Sequence, residues 1–346
     1  VQSWMRPDGK LRAPSHFDAC PFRLELTPQF EGGVAARQSR AFCIRHSEGV
    51  EPPRDTKHPS NVKSFAASGE HNRGMNSLNA PPSFGDERRV SSNPVLTLDD
   101  AALGALALAT LDLTSLRGDE DDEAIEALVE KAAHPVGAPA ALCVFPFAVA
   151  RARRRLDARG RSQVRVATVV AFPQGDASPR QVAHEIEQAL AAGADEIDMV
   201  LPWRALQAAA HGVALEGLSP ASAEAAARAV VQAAREAALE RPLKVILESG
   251  ELADAALIDA AARIALDAGA DFIKTSTGKA RVHATPPAVE VMLASLERHR
   301  AGGGPTRGLK VAGGVQTLDD VRLYMSLGAA APVSYTHLRA HETKAN

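Results

Sequence analysis

Two lysines stand where a folded chain would ordinarily place apolar residues. Lys274 lies in D-F-I-K-T-S-T-G-K, 271–279, and Lys310 lies in G-L-K-V-A-G-G-V, 308–315. Burying an ammonium is costly unless it is paired, and burial together with a neighbouring positive charge favours the neutral amine. Because a neutral amine attacks carbonyl carbons, this pair indicates Schiff-base chemistry, in which an iminium withdraws electrons from an adjacent C–C bond. A lysine paired for structural reasons alone is the alternative.

Other polar residues in the same kind of stretch extend this chemistry. Asp198, in E-I-D-M-V-L-P, could move protons with water while a carbinolamine forms and is dehydrated. T-G-K, 277–279, and A-G-G-V, 312–315, each follow an apolar run, and glycine lets backbone N–H groups approach an anion closely. The two loops therefore predict a phosphate site, although a glycine pair can also serve as a simple turn.

The elements that must position these residues alternate regularly. From residue 96 to about 330, helical Ala-rich patterns at 121–133, 178–193, 222–239 and 253–269 separate seven candidate strands, at 107–113, 141–146, 164–173, 196–202, 242–250, 271–277 and 308–315. Such alternation predicts βαβ units and a parallel sheet. The length suits an α/β TIM (β/α)8 barrel, whose active sites lie at the C-terminal ends of the strands. A doubly wound open sheet is the alternative, weakened because no G-x-G-x-x-G follows a strand.

The two ends of the chain depart from this pattern. Residues 1–95 are rich in Pro, Ser, Gly, Arg and Asn, and they predict either a disordered extension or upstream sequence translated ahead of a natural start at Met75. Residues 332–346 break the alternation where an eighth strand is due. They resemble a translated sequencing-library adapter, with an ordinary polar tail as the alternative. We therefore expect a barrel domain at 96–331 that is truncated after its seventh strand–helix unit.

Composition narrows the function classes. The chain has 346 residues and a formal net charge of −3, so nothing indicates a nucleic-acid or anionic-membrane partner. The three cysteines, Cys20, Cys43 and Cys143, are odd in number and far apart, which argues against a disulfide framework or a zinc site. With no 18-residue apolar run and no secretory-signal pattern, a cytoplasmic location is the expectation.

Taken together, the motifs resemble those of deoxyribose-phosphate aldolases. The resemblance covers about residues 104–329 and rests on L-D-L-T-S-L, A-A-L-C-V-F-P, A-T-V-V-A-F-P-Q-G, G-A-D-E-I-D-M-V-L-P-W-R-A-L, L-K-V-I-L-E-S-G-E-L, G-A-D-F-I-K-T-S-T-G-K and L-K-V-A-G-G-V. It implies a class I aldolase without metal or other cofactor, acting in deoxyribonucleotide catabolism. Such an enzyme reversibly splits 2-deoxy-D-ribose 5-phosphate into D-glyceraldehyde 3-phosphate and acetaldehyde. The expected partners are these small molecules and, in a homodimer, a second copy of the chain.

The resemblance also assigns roles to residues. Lys274 matches the Schiff-base lysine, Lys310 the lysine that activates it, and Asp198 the proton relay. The implied substrate-binding residues are Cys143, Asp112, Lys244, Thr277, Gly278, Lys279, Gly313 and Gly314. Alternatively, Cys143 is a small residue of the hydrophobic core without a role at the substrate.

Some features depart from the family pattern or lie outside it. Val311 and Gln316 stand where members often carry proline and arginine, and the family's G-A-S-S segment at strand eight is absent. Glu248 is expected to pair structurally with Lys244 along the fifth strand. Two hypotheses compete with this one. The protein could be another lysine-dependent barrel aldolase, or a truncated barrel that binds phosphosugars without catalysis.

Overall fold

The computed structural model describes residues 95–212, 219–330 and 335–339, all within one compact unit. Strands and helices alternate along the whole of it. The strands are β1 (Asp112–Ser115), β2 (Ala141–Val144), β3 (Arg165–Val170), β4 (Glu196–Val200), β5 (Leu243–Ile246), β6 (Phe272–Lys274), β7 (Gly308–Ala312) and β8 (Tyr335–Arg339). The helices are α1 (Asp100–Ala109), α2 (Asp122–Lys131), α3 (Pro146–Ala158), α4 (Pro179–Ala191), α5 (Trp203–Ala210), α6 (Pro220–Ala238), α7 (Ser249–Leu252), α8 (Ala255–Asp267), α9 (Pro286–Ala301) and α10 (Leu318–Ala330).

The sheet is parallel throughout, and each strand is hydrogen-bonded to the next one along the chain, from β1 to β8. β1 and β8 contact each other, so the sheet curls round on itself. Helices connect successive strands and cover the outer face of the sheet. The predicted fold class, an α/β barrel of the TIM type, is confirmed.

The eighth strand differs from the expectation of a sheet that ends at β7. Residues Tyr335–Arg339 pair in parallel with β7, with Gly308 opposite Tyr335 and Ala312 opposite Arg339. Strand pairing uses backbone N–H and C=O groups, so an exposed strand edge can accept an extended segment of almost any sequence. That residues 332–346 derive from an adapter stays a prediction. The prediction that the N-terminal segment is disordered or translated upstream sequence concerns residues 1–94, which lie outside the described residues.

The first predicted strand also needs correction, because residues 107–109 end helix α1 and β1 begins only at Asp112. The Asp99 side chain caps this helix by accepting from the Ala102 N–H at 2.7 Å. Alanine and leucine favour helix, and a short apolar run has no period that distinguishes a helix from a buried strand. The N-terminal cap therefore decides the structure of this stretch.

The outward faces of the strands form the apolar core against the helices. Leu142, Ile197, Met199, Val245, Ile273, Leu309 and Val311 are all fully buried there.

Helix α10, which follows β7, contacts the start of the described chain. Arg322 of α10 donates to the Leu98 carbonyl at 2.8 Å and pairs with Asp100 at 2.9 Å. Over the described ranges, no helix is both long enough and apolar enough to cross a membrane.

Candidate active site

The interior of the barrel holds three lysines on three consecutive strands. Lys244 of β5, Lys274 of β6 and Lys310 of β7 are all completely shielded from solvent. Pairing register places Lys274 directly opposite Lys310. The like-charged neighbour predicted for Lys274 is therefore present, and Lys274 itself is the last residue of β6, at the end of the sheet where barrel active sites lie.

Asp198 joins two of these lysines. It lies on β4 opposite Lys244, and its Oδ1 is 2.5 Å from the Lys244 Nζ. Its other oxygen, Oδ2, accepts a hydrogen bond from the Lys274 Nζ. A carboxylate in contact with the candidate nucleophile is placed to exchange protons with it.

Two further carboxylates complete the buried charge cluster. Asp112 of β1 reaches across the interior, and its Oδ2 lies 2.6 Å from the Lys310 Nζ and 3.5 Å from the Lys244 Nζ. Glu196 of β4 contacts the Lys244 Nζ at 2.9 Å. Three carboxylates thus face three lysines, which meets the requirement that buried charges be paired.

The loop after β6 is held by a buried acid, Glu248. Its Oε2 accepts from the Thr277 hydroxyl at 2.6 Å, and its Oε1 accepts from the Thr277 N–H at 3.2 Å. The pairing with Lys244 that sequence analysis preferred is wrong, because Glu248 follows the strand in a left-handed conformation, φ 55° and ψ 51°, and turns toward β6. Burial raises the pKa of the Glu248 carboxyl, while the bonds from Thr277 and the nearby Lys274 charge oppose that rise.

Lys279 reaches across the mouth of the barrel. Its N–H donates to the Thr277 hydroxyl at 3.0 Å, and its Nζ donates to the carbonyl of Leu116, just after β1, at 2.5 Å. The side chain predicted to bind phosphate therefore also connects the loops that follow β6 and β1.

The glycine loops have the backbone that the phosphate hypothesis requires. Gly278, Gly313 and Gly314 have φ values of 74°, 81° and 79°, a region that residues with a Cβ seldom adopt. Gly313 and Gly314 directly follow β7 at the end of the barrel that also holds Lys274.

The β2–β3 side of the interior is different in kind. Cys143 is fully buried and packs with Leu116, Ala141, Ala167 and Val169. A cavity of about 410 Å³ opens at the C-terminal ends of these strands, and its lining includes Phe145, Phe172 and Glu185 but none of the three lysines. We assign the chemistry to the buried charges and not to this cavity, because the cavity lining has carboxylates but no lysine to act as a nucleophile.

Comparison with known proteins now bears on this geometry. A family model described as DeoC/LacD family aldolase matches residues 106–331. The chain belongs to the DeoC/LacD aldolase family. Members of this family are aldolases, so the protein is an enzyme of the aldolase type, and its buried lysine–carboxylate cluster lies within the matched region.

Solved structures resemble this DeoC/LacD family member over most of their own length. A candidate deoxyribose-phosphate aldolase from Coccidioides immitis is 28% identical with a TM-score of 0.57, and the match covers 70% of this chain and 86% of that one. A candidate deoxyribose-phosphate aldolase from Toxoplasma gondii ME49 is 25% identical with a TM-score of 0.59, covering 68% and 89%. A deoxyribose phosphate aldolase from Aeropyrum pernix, at 22% identity and a TM-score of 0.54, covers 74% and 94% and supports the fold.

The structure of this family member brings together Lys274, Lys310, Asp198, Asp112 and Lys244, all of which sequence analysis selected. Cys143 packs in the neighbouring apolar cluster on the β2–β3 side, and its predicted substrate-binding role stays a prediction. Sequence analysis missed Glu196, whose signal was its position two residues before Asp198 on the same face of β4. It also missed Ser276, whose buried hydroxyl has no hydrogen-bond partner within the described part of the chain.

Proposed function

We propose that this protein is a class I deoxyribose-phosphate aldolase, which reversibly splits 2-deoxy-D-ribose 5-phosphate into D-glyceraldehyde 3-phosphate and acetaldehyde. The observation that carries the proposal is the fully buried Lys274, with its amine on the Asp198 carboxylate and Lys310 opposite it. Membership of an aldolase family and the likeness to candidate deoxyribose-phosphate aldolases support the substrate class. A metal is not required by this chemistry, since the iminium itself is the electron sink.

The bond changes follow from these positions. The Lys274 Nζ attacks C1 of the open-chain aldehyde, and Asp198 takes up the amine proton and returns one to the hydroxyl that leaves as water. The iminium then accepts the electron pair of the C2–C3 bond, while the C3 hydroxyl loses its proton and becomes the aldehyde of glyceraldehyde 3-phosphate. Protonation of the enamine at C2 and attack by water release acetaldehyde and restore Lys274.

The remaining predicted residues have supporting roles in this proposal. Asp112 fixes the charge of Lys310, and Lys244 orients Asp198 through the contact at its Oδ1. The sugar phosphate binds at the loop ends, where Thr277, Gly278, Lys279, Gly313 and Gly314 lie. We propose a cytoplasmic enzyme of deoxyribonucleotide catabolism, which acts as a homodimer.

Reductive trapping tests the proposal. The full chain is incubated with acetaldehyde and borohydride, and the modified peptide is located by mass spectrometry. We expect one ethyl group on Lys274 that is absent in Lys274→Arg, which keeps the charge but not the nucleophilic amine. The Lys131→Arg variant, changed on a helix outside the barrel, should be labelled like the wild type.

The outcomes separate the competing hypotheses. Trapping of pyruvate or dihydroxyacetone phosphate, but not of acetaldehyde, would identify another lysine-dependent aldolase. A sample with the far-ultraviolet circular dichroism of a folded α/β protein and no adduct at Lys274 would refute the Schiff-base proposal.

A further inference from the structure

The backbone around Lys274 is held by the segment 247–249, which follows β5. The Leu247 N–H donates to the Lys274 carbonyl at 2.9 Å, and the Ser249 N–H donates to the Thr275 carbonyl at 2.8 Å. These two bonds continue the β5–β6 pairing past the ends of both strands. The backbone at Lys274 is therefore held by main-chain groups and does not depend on the side chain of the residue between them, Glu248.

The next part of the loop does depend on that side chain. The Glu248 Oε2 accepts from the Thr277 hydroxyl at 2.6 Å and from the Thr277 N–H at 3.3 Å. The hydroxyl oxygen of Thr277 in turn accepts from the Lys279 N–H at 3.0 Å. Glu248 and Thr277 are buried, whereas Gly278 is half-buried and Lys279 is exposed. One buried oxygen atom thus fixes a turn, 277–279, whose other two residues a ligand can reach.

The backbone at Glu248 is strained, which sets this contact apart from ordinary packing. Its φ of 55° and ψ of 51° form a left-handed conformation that residues with a Cβ rarely adopt. Such strain persists where surrounding contacts hold it, and it is concentrated at functional sites. Gly250 supplies one of these contacts, because a Cβ there would come within 2.3 Å of the Val282 carbonyl oxygen. The strained segment is therefore packed in place, with its carboxyl group directed to Thr277.

We propose that Glu248 is a positioning residue, which sets the turn 277–279 for the phosphorylated end of the substrate by the reach of its side chain and not by its charge. The proposal rests on the proposed function and deepens it, because it names the group that holds Gly278 and Lys279 where the sugar phosphate binds. Glu248 acts through Thr277 and does not contact the substrate. Because the backbone at Lys274 is held separately, loss of this role should weaken binding and leave the nucleophile in place.

Two variants separate reach from charge. Glu248→Gln keeps the length of the side chain and loses its charge, and one amide oxygen can replace Oε2, which alone accepts both bonds from Thr277. Glu248→Asp keeps the charge and is one methylene group shorter. Aspartate also tolerates a left-handed backbone better than most residues, so this variant does not add strain. A role by reach predicts that only Glu248→Asp is impaired, while an acid–base role predicts that only Glu248→Gln is impaired.

Steady-state kinetics of the full chain compare 2-deoxyribose 5-phosphate with 2-deoxyribose. Glu248→Asp should raise KM about tenfold for the phosphorylated sugar, the change that a lost hydrogen bond typically produces, with kcat within about twofold of the wild type. For the free sugar, kcat/KM should change by less than about twofold. Glu248→Gln should match the wild type with both sugars. The matched control is Asp259→Ala, which removes a carboxylate that accepts from the Ser295 hydroxyl at 2.6 Å between α8 and α9. It should leave both sugars unaffected.

Hydrogen exchange followed by mass spectrometry tests the same contact without any substrate. In Glu248→Asp, the amides of 277–279 should exchange about tenfold faster than in the wild type, because the hydrogen bonds that protect them are lost. The amides of β5 should keep their wild-type exchange rates. Glu248→Gln should exchange like the wild type in both segments.

The outcomes separate this inference from the proposed function. Absence of a Lys274 adduct in the wild type removes the aldolase, while faster exchange in Glu248→Asp alone would still support Glu248 as the residue that holds the turn. The inference is overturned by a wild-type KM in Glu248→Asp, by an equal rise in KM for both sugars, or by equal exchange in all three proteins. If Glu248→Asp does not fold, Glu248→Gln decides, because a tenfold rise in its KM contradicts a role by reach and wild-type kinetics support one.

Discussion

The two sides of the barrel interior are filled with side chains of opposite kinds. On the β4–β7 side the inward residues are long and charged, with Lys244, Lys274 and Lys310 matched by carboxylates. On the β2–β3 side the fully buried ones are small or apolar, as at Cys143 and Ala167, while the partly exposed Arg165 of β3 pairs with Glu196 at 3.1 Å. Both sides are equally dry at the three lysines and at Cys143 and Ala167, which are all fully buried.

The difference shows what each side contributes. Long charged side chains occupy the interior and must be paired, so a change at one of them leaves its partner buried without a counter-charge. Small residues on β2 and β3 contribute ordinary apolar packing. A substitution there lowers the free energy of unfolding only by the packing contacts of a few atoms. Substitutions on the two sides should therefore differ in kind as well as in magnitude.

Replacing the central lysine should have the largest effect. We expect Lys274→Met to lower kcat/KM for 2-deoxyribose 5-phosphate by roughly four orders of magnitude or more, because the covalent route disappears. Lys131→Met, on a helix outside the barrel, should retain wild-type kinetics. If Lys274→Met retained even a tenth of the activity, the buried lysines and carboxylates of the β4–β7 side would have a structural role and not a catalytic one.

Breaking the bridging carboxylate should mainly affect stability. Asp198→Asn leaves Lys244 and Lys274 facing a neutral amide in place of a carboxylate, and we expect the free energy of unfolding to fall by about 3–5 kcal/mol. Urea denaturation measures it. Asp267→Asn provides the control, since this half-exposed residue makes only long contacts, with Arg228 at 3.8 Å and with His299 at 3.6 Å. That loss should be within about 0.5 kcal/mol, and an equal loss in both variants would contradict the paired-cluster interpretation.

Glu248 should give the charged side a dependence on pH. Its folded-state pKa is raised by burial, so folding favours the protonated acid, and the wild type loses stability as pH rises from the unfolded pKa of about 4.3 through the folded value. Glu248→Gln can still accept from Thr277 but does not titrate. The free energy of unfolding of the wild type minus that of this variant should therefore decrease with rising pH and then level off. Urea titrations at pH 4 to 8 would contradict this if the difference stayed constant or grew.

The smallest effect is expected on the apolar side. Cys143→Ala removes one buried sulfur atom, and we expect a loss of about 1 kcal/mol in the free energy of unfolding. Acetaldehyde trapping at Lys274 should be unchanged. A large loss of trapping would instead place Cys143 at the substrate, as the family resemblance implied.

The sequence made the strand positions and the buried lysines predictable for physical reasons. β-branched apolar runs mark strands that are buried on both faces, and a lysine such as Lys274 within one stands out against them. The parallel order then brings residues from separate strands to one interior, so Asp198 and Asp112 could be selected with the lysines. Element ends were less predictable, and Lys274 proved to end β6 instead of lying within it.

Other features depend on tertiary contacts that no local pattern encodes. The direction of Glu248 is set by a left-handed backbone conformation beside Thr277, not by strand alternation. The contact of His283 with Gly313 joins two loops that approach each other only in the folded barrel. The eighth strand depends on backbone pairing with β7, to which the side-chain pattern of 332–346 gave no clue.

The bond from Arg322 to the Leu98 carbonyl joins residues 224 positions apart in the chain. A contact between residues so far apart in the chain requires a long loop to close, which costs conformational entropy before the contact contributes any stability. Such contacts therefore form late in folding. On the ribosome the delay is longer still, because at about 5–20 residues per second the arginine follows its partner by roughly 10–45 s. Throughout that interval β8, which contacts β1 in the folded chain, has not yet been synthesised. We expect this to be when the nascent barrel is most prone to pair with other chains and to need a chaperone.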